Sequence, residues 1–146
     1  TNGSLVNRDY VQKGLKKLAL INGEVWFKID SATKEGIDRI NQVSGTESSA
    51  LKRLDITANH CPTYIQTCVF TYEGKKPSKA DKKAYIELLS EAVNRKIPLK
   101  GVLLYGVERP PLLPEASNKI SKLPEEWLVS FADQIRSTGV PVKISV

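Results

Sequence analysis

Lys28 and Asp30 stand two residues apart in the run Val25-Trp26-Phe27-Lys28-Ile29-Asp30, and Ser31 follows. Side chains two apart on a strand share a face. The run therefore presents a cation beside a carboxylate, which suits an ion pair or a polar ligand. A lysine beside an aspartate on a barrel strand also suits a Schiff-base amine. Two more runs carry similar groups. In 64–70, Tyr64, Gln66 and Cys68 oppose Ile65 and Val69, with Thr67 between them and Tyr72, Glu73 and Gly74 beyond. In 102–109, Leu103, Tyr105 and Arg109 share a face, and Glu108 precedes the arginine. Each group also has a structural use: a buried Lys28–Asp30 pair, a Gln66 amide satisfying its neighbours, a Tyr105 ring in the core, an Arg109 bracing a loop.

These runs must be placed by what lies between them. Helix-like segments alternate with the strands, which argues for α/β architecture, a parallel sheet and right-handed crossovers. Asn7 is positioned to cap a first helix with Val11, Leu15 and Leu18 inside. Ser31 or Thr33 is positioned to cap a helix carrying Ile37, Ile40 and Val43, interrupted at Gly45. Leu51, Leu54 and Ile56 follow, and Asn59 to Pro62 reads as a turn. Ser78 with Asp81 resembles a capping box. It opens a helix whose inner face holds Ala84, Tyr85, Leu88, Leu89, Ala92 and Val93. Pro110, Pro111 and Pro114 make an extended loop. Pro124 suits the first position of a last helix, with Trp127, Leu128, Phe131 and Ile135 inside. Strands are expected near 24–30, 63–70, 101–107 and 141–146. One face of each then has helix cover, and the other carries Lys, Asp, Gln, Tyr and Arg. A filled barrel would put Val, Ile and Leu there. In parallel sheets ligands bind beyond the carboxyl ends of the strands, where these residues cluster.

The 146 residues suffice for one core but fall short of an eight-fold barrel, which takes about 250. No stretch approaches the roughly 20 apolar residues of a membrane span, and no signal-peptide pattern is present. Cys61 and Cys68 lie at opposite ends of one strand, too far apart to pair, and free thiols fit a cytosolic, cytoplasmic protein. Neither zinc spacing, nor a Ser–His–Asp set, nor a phosphate-binding glycine loop is present. Net charge is +6. Lys13, Lys16, Lys17, Lys75, Lys76, Lys79, Lys82 and Lys83 read chiefly as solvated faces, with attraction to a polyanion such as RNA as the sharper alternative.

At its polar residues the chain resembles the second, C-terminal half of a radical S-adenosylmethionine (SAM) enzyme domain. The segments that carry the resemblance are Thr1-Asn2-Gly3, Trp26-Phe27-Lys28-Ile29-Asp30-Ser31, Ile40-Asn41, Ile65-Gln66-Thr67 and Leu104-Tyr105-Gly106-Val107-Glu108-Arg109, in that order. They are similar to the iron–sulfur oxidoreductase branch of that superfamily, whose relatives include a tRNA wyosine-forming enzyme. The resemblance covers nearly the whole chain. It implies that 1–146 is a single fragment of a partial (βα)6 barrel, with parallel strands and helices on the outer face. It implies SAM and a [4Fe–4S] cluster in the full-length protein, and reductive cleavage of SAM to a 5′-deoxyadenosyl radical that abstracts hydrogen. Lys28, Asp30, Ser31, Gln66 and Tyr105 would then face the cofactor, and Asn2 and Arg109 the substrate, a small molecule or RNA.

One departure governs these expectations. The family holds its cluster in a C-x-x-x-C-x-x-C loop, and this sequence contains only Cys61 and Cys68. The chain alone is therefore expected to hold neither cluster nor SAM and to be inactive, with the N-terminal half of the barrel as its partner. Two other readings stay open: a non-catalytic half-barrel binding module, and half of an unrelated (βα)8 enzyme with Lys28 as its amine.

Overall fold

Alternating apolar residues become strands buried on one face. A computed structural model describes residues 1–33, 36, 47–108 and 119–145. In chain order its elements are α1 (Asp9–Leu20), β1 (Val25–Lys28), α2 (Glu47–His60), β2 (Thr63–Val69), β3 (Thr71–Tyr72), α3 (Lys79–Asn94), β4 (Leu99–Gly106), β5 (Ile120–Ser121), α4 (Glu125–Arg136) and β6 (Val142–Ser145). The main sheet has the order β1-β2-β4-β6, and all its pairings are parallel. Each parallel step needs a long return, and helices supply it. The expected strands are all present. β3 and β5 add a small antiparallel pair that the sequence reading lacks, because two-residue strands carry no periodicity.

The core lies on the helix-facing side. Phe27, Ile65, Val102 and Leu104 from the strands meet Leu54, Leu88, Leu89, Leu128 and Ile135 from α2, α3 and α4 in one buried cluster. Fully burying one such side chain is worth about 1.5–3 kcal/mol. Phe131 stacks at a tilt between Tyr85 and Trp127, with ring centroids 5.6 and 5.2 Å away. By contrast, α1 has no buried residue, and Lys13, Lys16 and Lys17 are exposed on it.

Several local expectations need correction. The first helix begins after Arg8 with no side-chain cap, because turns from Gly3 to Val6 and from Leu5 to Arg8 carry the chain past Asn7. α2 continues through His60, so only Cys61 and Pro62 connect it to β2. Pro124 is the cap of α4 rather than its first residue. Val93 is exposed, one position past the buried stripe of α3. Ile37, Ile40, Asn41, Val43, Gly45, the proline loop and Arg109 lie outside the described residues.

The α3 cap forms as read. Ser78 Oγ accepts the Asp81 amide at 3.0 Å, and Asp81 Oδ2 accepts the Ser78 amide at 2.9 Å. Asp81 Oδ1 also accepts the Thr33 hydroxyl at 3.0 Å, which ties the segment after β1 to the start of α3. Ser78→Ala should lower stability by about 1 kcal/mol in chemical denaturation, whereas a solvent-facing substitution such as Lys83→Ala should change it by less than about 0.5 kcal/mol.

Candidate functional site

The sheet's second face has no helix over it among the described residues. In β1 the burial alternates: Val25 and Phe27 are buried, Trp26 and Lys28 exposed. The register sets Lys28 beside Gln66, Gln66 beside Leu103 and Leu103 beside Lys143. One row further toward the carboxyl ends, Cys68 lies beside Tyr105 and Tyr105 beside Ser145. Lys28, Gln66, Cys68 and Tyr105 thus share one face through the pleat of adjacent parallel strands.

Asp30 organises that end. Its Oδ2 lies 2.9 Å from Lys28 Nζ, and its side chain is 2% exposed against 45% for the lysine. Its Oδ1 accepts the backbone N–H of Cys68 at 3.0 Å. The carboxylate therefore bridges a side chain of β1 and the backbone of β2. Burial alone would lower the pKa of the Lys28 amine, but the bond and charge of Asp30 outweigh it and raise the pKa above its ordinary value. The Cys68 thiol is pushed up to about 11 by burial and then by the Asp30 charge, with Lys28 and Tyr105 opposing. Burial, then Cys68, also raises Tyr105. The site holds a protonated amine, a neutral thiol and a neutral phenol at pH 7. None of these three groups is an activated nucleophile.

Other candidates have different placements. Thr67 points to the helix side. Its hydroxyl donates to the Ile29 carbonyl at 2.8 Å and lies 2.6 Å from the Tyr85 hydroxyl, which must then be the donor between them. It is a structural clamp, and its position in the alternation assigns it to that face. Burial raises the Tyr85 pKa strongly, against the Thr67 bond. Ser31 sits beside Thr33, with the hydroxyls 3.3 Å apart. Gln66 makes no side-chain hydrogen bond to another described residue. Glu108 pairs with Lys122 at 3.1 Å, and Glu73 with Lys119 at 3.3 Å.

Asn2 is exposed and runs along the outer edge of β1. The Thr1 amine donates to the Trp26 carbonyl at 3.0 Å, and the Lys28 amide donates to the Thr1 carbonyl at 2.7 Å. Asn2 Oδ1 closes a turn by accepting the Ser4 amide at 3.1 Å, and its carbonyl accepts Arg53 Nε at 3.2 Å. No hydrogen bond among the described residues joins the Asn2 side chain to the Lys28–Asp30 pair.

The [4Fe–4S] cluster does not fit these residues. Cys61 is buried before β2, its thiol 3.7 Å from the Gly23 carbonyl, while Cys68 lies toward the other end of that strand. Among the described residues no group of three or more His, Cys, Asp or Glu can hold a metal ion. No described helix is long and apolar enough to cross a membrane.

No protein-family model matches the chain, and no curated protein does. Solved structures do. A domain of pyruvate-formate lyase-activating enzyme from Bacteroides vulgatus superposes with a TM-score of 0.64 at 16% identity, over 98% of this chain and 78% of that one. A radical SAM methyltransferase from Sphaerobacter thermophilus gives a TM-score of 0.55 at 14% identity, over 92% of this chain and 37% of that one. The fold is that of the radical SAM partial barrel: an α/β chain with a parallel sheet and helices on its outer face.

Two outcomes follow from the site. Lys28, Cys68, Tyr105 and Tyr85 all hold their protons more tightly folded than unfolded. Their contributions are present in full below the unfolded pKa values and fade as pH rises through the folded ones, so stability should fall above about pH 9. Denaturant titrations from pH 8 to 11 should show a loss of more than about 1 kcal/mol, smaller in Cys68→Ala; a flat profile would contradict the site's electrostatics. Anaerobic incubation with iron and sulfide should give no stoichiometric [4Fe–4S] absorbance. A full cluster spectrum would mean that Cys61 and Cys68 have been misjudged.

Proposed function

We propose that this chain supplies the cofactor- and substrate-facing wall of a radical SAM enzyme, with the cluster held by residues outside this sequence. The observation that carries the reading is the single face shared by Lys28, Asp30, Gln66 and Tyr105 at the carboxyl end of a radical SAM-type sheet. SAM in that family supplies a 5′-deoxyadenosyl radical that removes a hydrogen atom from the substrate.

The residues fit the polar parts of SAM. Lys28 offers a held positive charge to a carboxylate. Asp30 keeps that amine in place and charged. The Gln66 amide, without a described partner, can both donate and accept toward ribose hydroxyls or an adenine edge. Tyr105 is half-buried, and its protonated phenol, hydrogen-bonded with Cys68, adds a polar group to the same face. From Lys28 on β1 through Gln66 on β2 to Tyr105 on β4 the face crosses two strand spacings, roughly 10 Å, which matches a nucleoside better than a single small ion. Ser31 and Asn2 border this face. Arg109 is proposed on the substrate side from its place in the 102–109 run alone.

The electrostatics disfavour the unrelated (βα)8 reading. A Schiff-base lysine must be available as the free amine near pH 7, usually through a lowered pKa. Lys28 is shifted the other way by Asp30. A non-catalytic half-barrel module remains the alternative, since the same wall binds without reacting.

The wall itself should bind SAM weakly. In a chemical-shift titration at millimolar SAM, the amides of Lys28, Gln66 and Tyr105 should move. Lys28→Ala should weaken the effect severalfold while the protein stays folded. Asp30→Ala should do the same, with stability measured in parallel because it orphans the Cys68 amide, at about 1–3 kcal/mol. Shifts absent from all three residues, or unchanged in both folded variants, would return Lys28 and Asp30 to a purely structural pair.

A further inference from the structure

Beyond the carboxyl ends of β1 and β2 lies a cleft of about 420 Å³. Cavities that hold small organic molecules run to about 300–1,000 Å³, so the space suits such a ligand. Its floor is apolar and aromatic. Half-buried Phe70 supplies most of it, and only the edges of Val69, Tyr85 and Phe131 reach the cleft from the core. Asp30, Ser31 and Cys68 line the end nearest the sheet's polar face.

The wall opposite is a fixed turn. Tyr72 and Lys75 exchange both backbone hydrogen bonds at 2.9 Å. Glu73 and Gly74 between them have φ of +47° and +75°. Positive φ at both central residues is the signature of a tight hairpin turn, and Gly74 takes it without strain. The turn holds Lys75 and Lys76 at the rim of the cleft.

The described lining residues include three carboxylates and three ammonium groups, and they differ in how they are engaged. Asp30 is paired with Lys28, and Glu73 with Lys119. Asp81 is engaged by the α3 cap and by Thr33. Lys82 stands over the Trp127 ring, 5.7 Å from its centroid. Lys75 and Lys76 have no ion pair with any described residue. Two cations without carboxylate partners therefore border an aromatic floor.

We propose that this cleft binds an organic anion with a flat apolar body. The body lies against Phe70 and the exposed edges of Tyr85 and Phe131, and the carboxylate, sulfonate or phosphate lies between Lys75 and Lys76. A molecule seated there abuts Asp30 and so reaches the wall assigned to SAM. As a substrate pocket the cleft rests on the radical SAM reading; as an anion site it rests on its own lining. A polyanion such as RNA would use the lysines without the enclosed aromatic floor.

The probes are naphthalene-1-sulfonate and its uncharged counterpart 1-naphthalenemethanol, titrated into the chain and followed by backbone and aromatic chemical shifts. Saturable shifts are expected at Phe70, Lys75, Lys76 and Tyr85 with both. The double variant Lys75→Gln/Lys76→Gln, which changes only exposed side chains, should weaken the sulfonate about fivefold to tenfold and leave the alcohol unchanged. No saturable shifts, shifts centred elsewhere, or equal weakening of both probes would overturn the site. So would a single-stranded oligonucleotide that depends on the same lysines and fails to compete with the sulfonate. Parallel SAM titration separates the two readings. SAM shifts at Lys28 and Gln66 without sulfonate binding would remove the cleft alone. Sulfonate binding without SAM shifts would keep the anion site and remove only its assignment as a substrate pocket.

Discussion

A buried carboxylate at the end of β1 governs the upper part of this structure. The last ladder pair between β1 and β2 is Lys28 with Gln66, and one further backbone bond joins the Ile29 amide to the Gln66 carbonyl. Past that point the two chains diverge while β2 continues. Asp30 Oδ1 then accepts the Cys68 amide at 3.0 Å in place of a backbone carbonyl. A carboxylate removed from water needs compensation, and here it comes from one amide and one ammonium. Lys28 is the ammonium, so the demand of Asp30 sets where the lysine points. Across the sheet, the Thr67 hydroxyl holds the Ile29 carbonyl and meets Tyr85 of α3. Ile29 and Asp30, the two residues after β1, are thus pinned from opposite faces.

The two faces of the sheet obey different physics. One is packed by aliphatic and aromatic side chains beneath three helices. The other carries mostly polar and charged groups, with Leu103 and Trp26 among them. At its amino end Glu24 accepts Trp26 Nε1 at 2.9 Å and Lys100 Nζ at 3.1 Å. Lys100 and Lys143 both stand 4.9 Å from the centre of the Tyr64 ring, and Lys143 also donates to the Tyr64 hydroxyl at 3.1 Å. This layer closes the lower part of the face with cation–π and hydrogen-bonded contacts, where a filled barrel would use branched aliphatics. Trp26 remains 50% exposed at its edge. Polar groups continue to the carboxyl ends of the strands. There Lys28, Gln66 and Tyr105 face outward, and nothing on the described part of the wall resembles a metal site.

That division explains how a radical SAM-type fold and two cysteines coexist in one chain. Parallel strands bring polar groups to one end through register alone, so a wall can be assembled from β1, β2 and β4 without any cluster ligand. Cluster ligation needs three thiolates converging on one point, and Cys61 and Cys68 sit toward opposite ends of one strand instead.

Much of this was legible in the sequence, because alternation along a strand is a local property. The period of two placed Lys28, Gln66, Cys68 and Tyr105 opposite Phe27, Ile65 and Val69. The Ser78–Asp81 spacing determined a helix start, since a capping box closes within three residues. The missing cysteine triad was visible by counting. Only the tertiary structure decided the rest, because those contacts join distant segments. Asp30 meets the Cys68 amide 38 residues away, and Thr33 meets Asp81 at a separation of 48. Alternation puts Thr67 on the helix side, but its partners there, the Ile29 carbonyl and the Tyr85 hydroxyl, are set by the fold. Lys75 and Lys76 read as solvated charge, although the Glu73-Gly74 pair before them signals a tight turn. That they border an aromatic-floored cleft follows from α3 and α4 folding back over the end of β2, which no local pattern encodes.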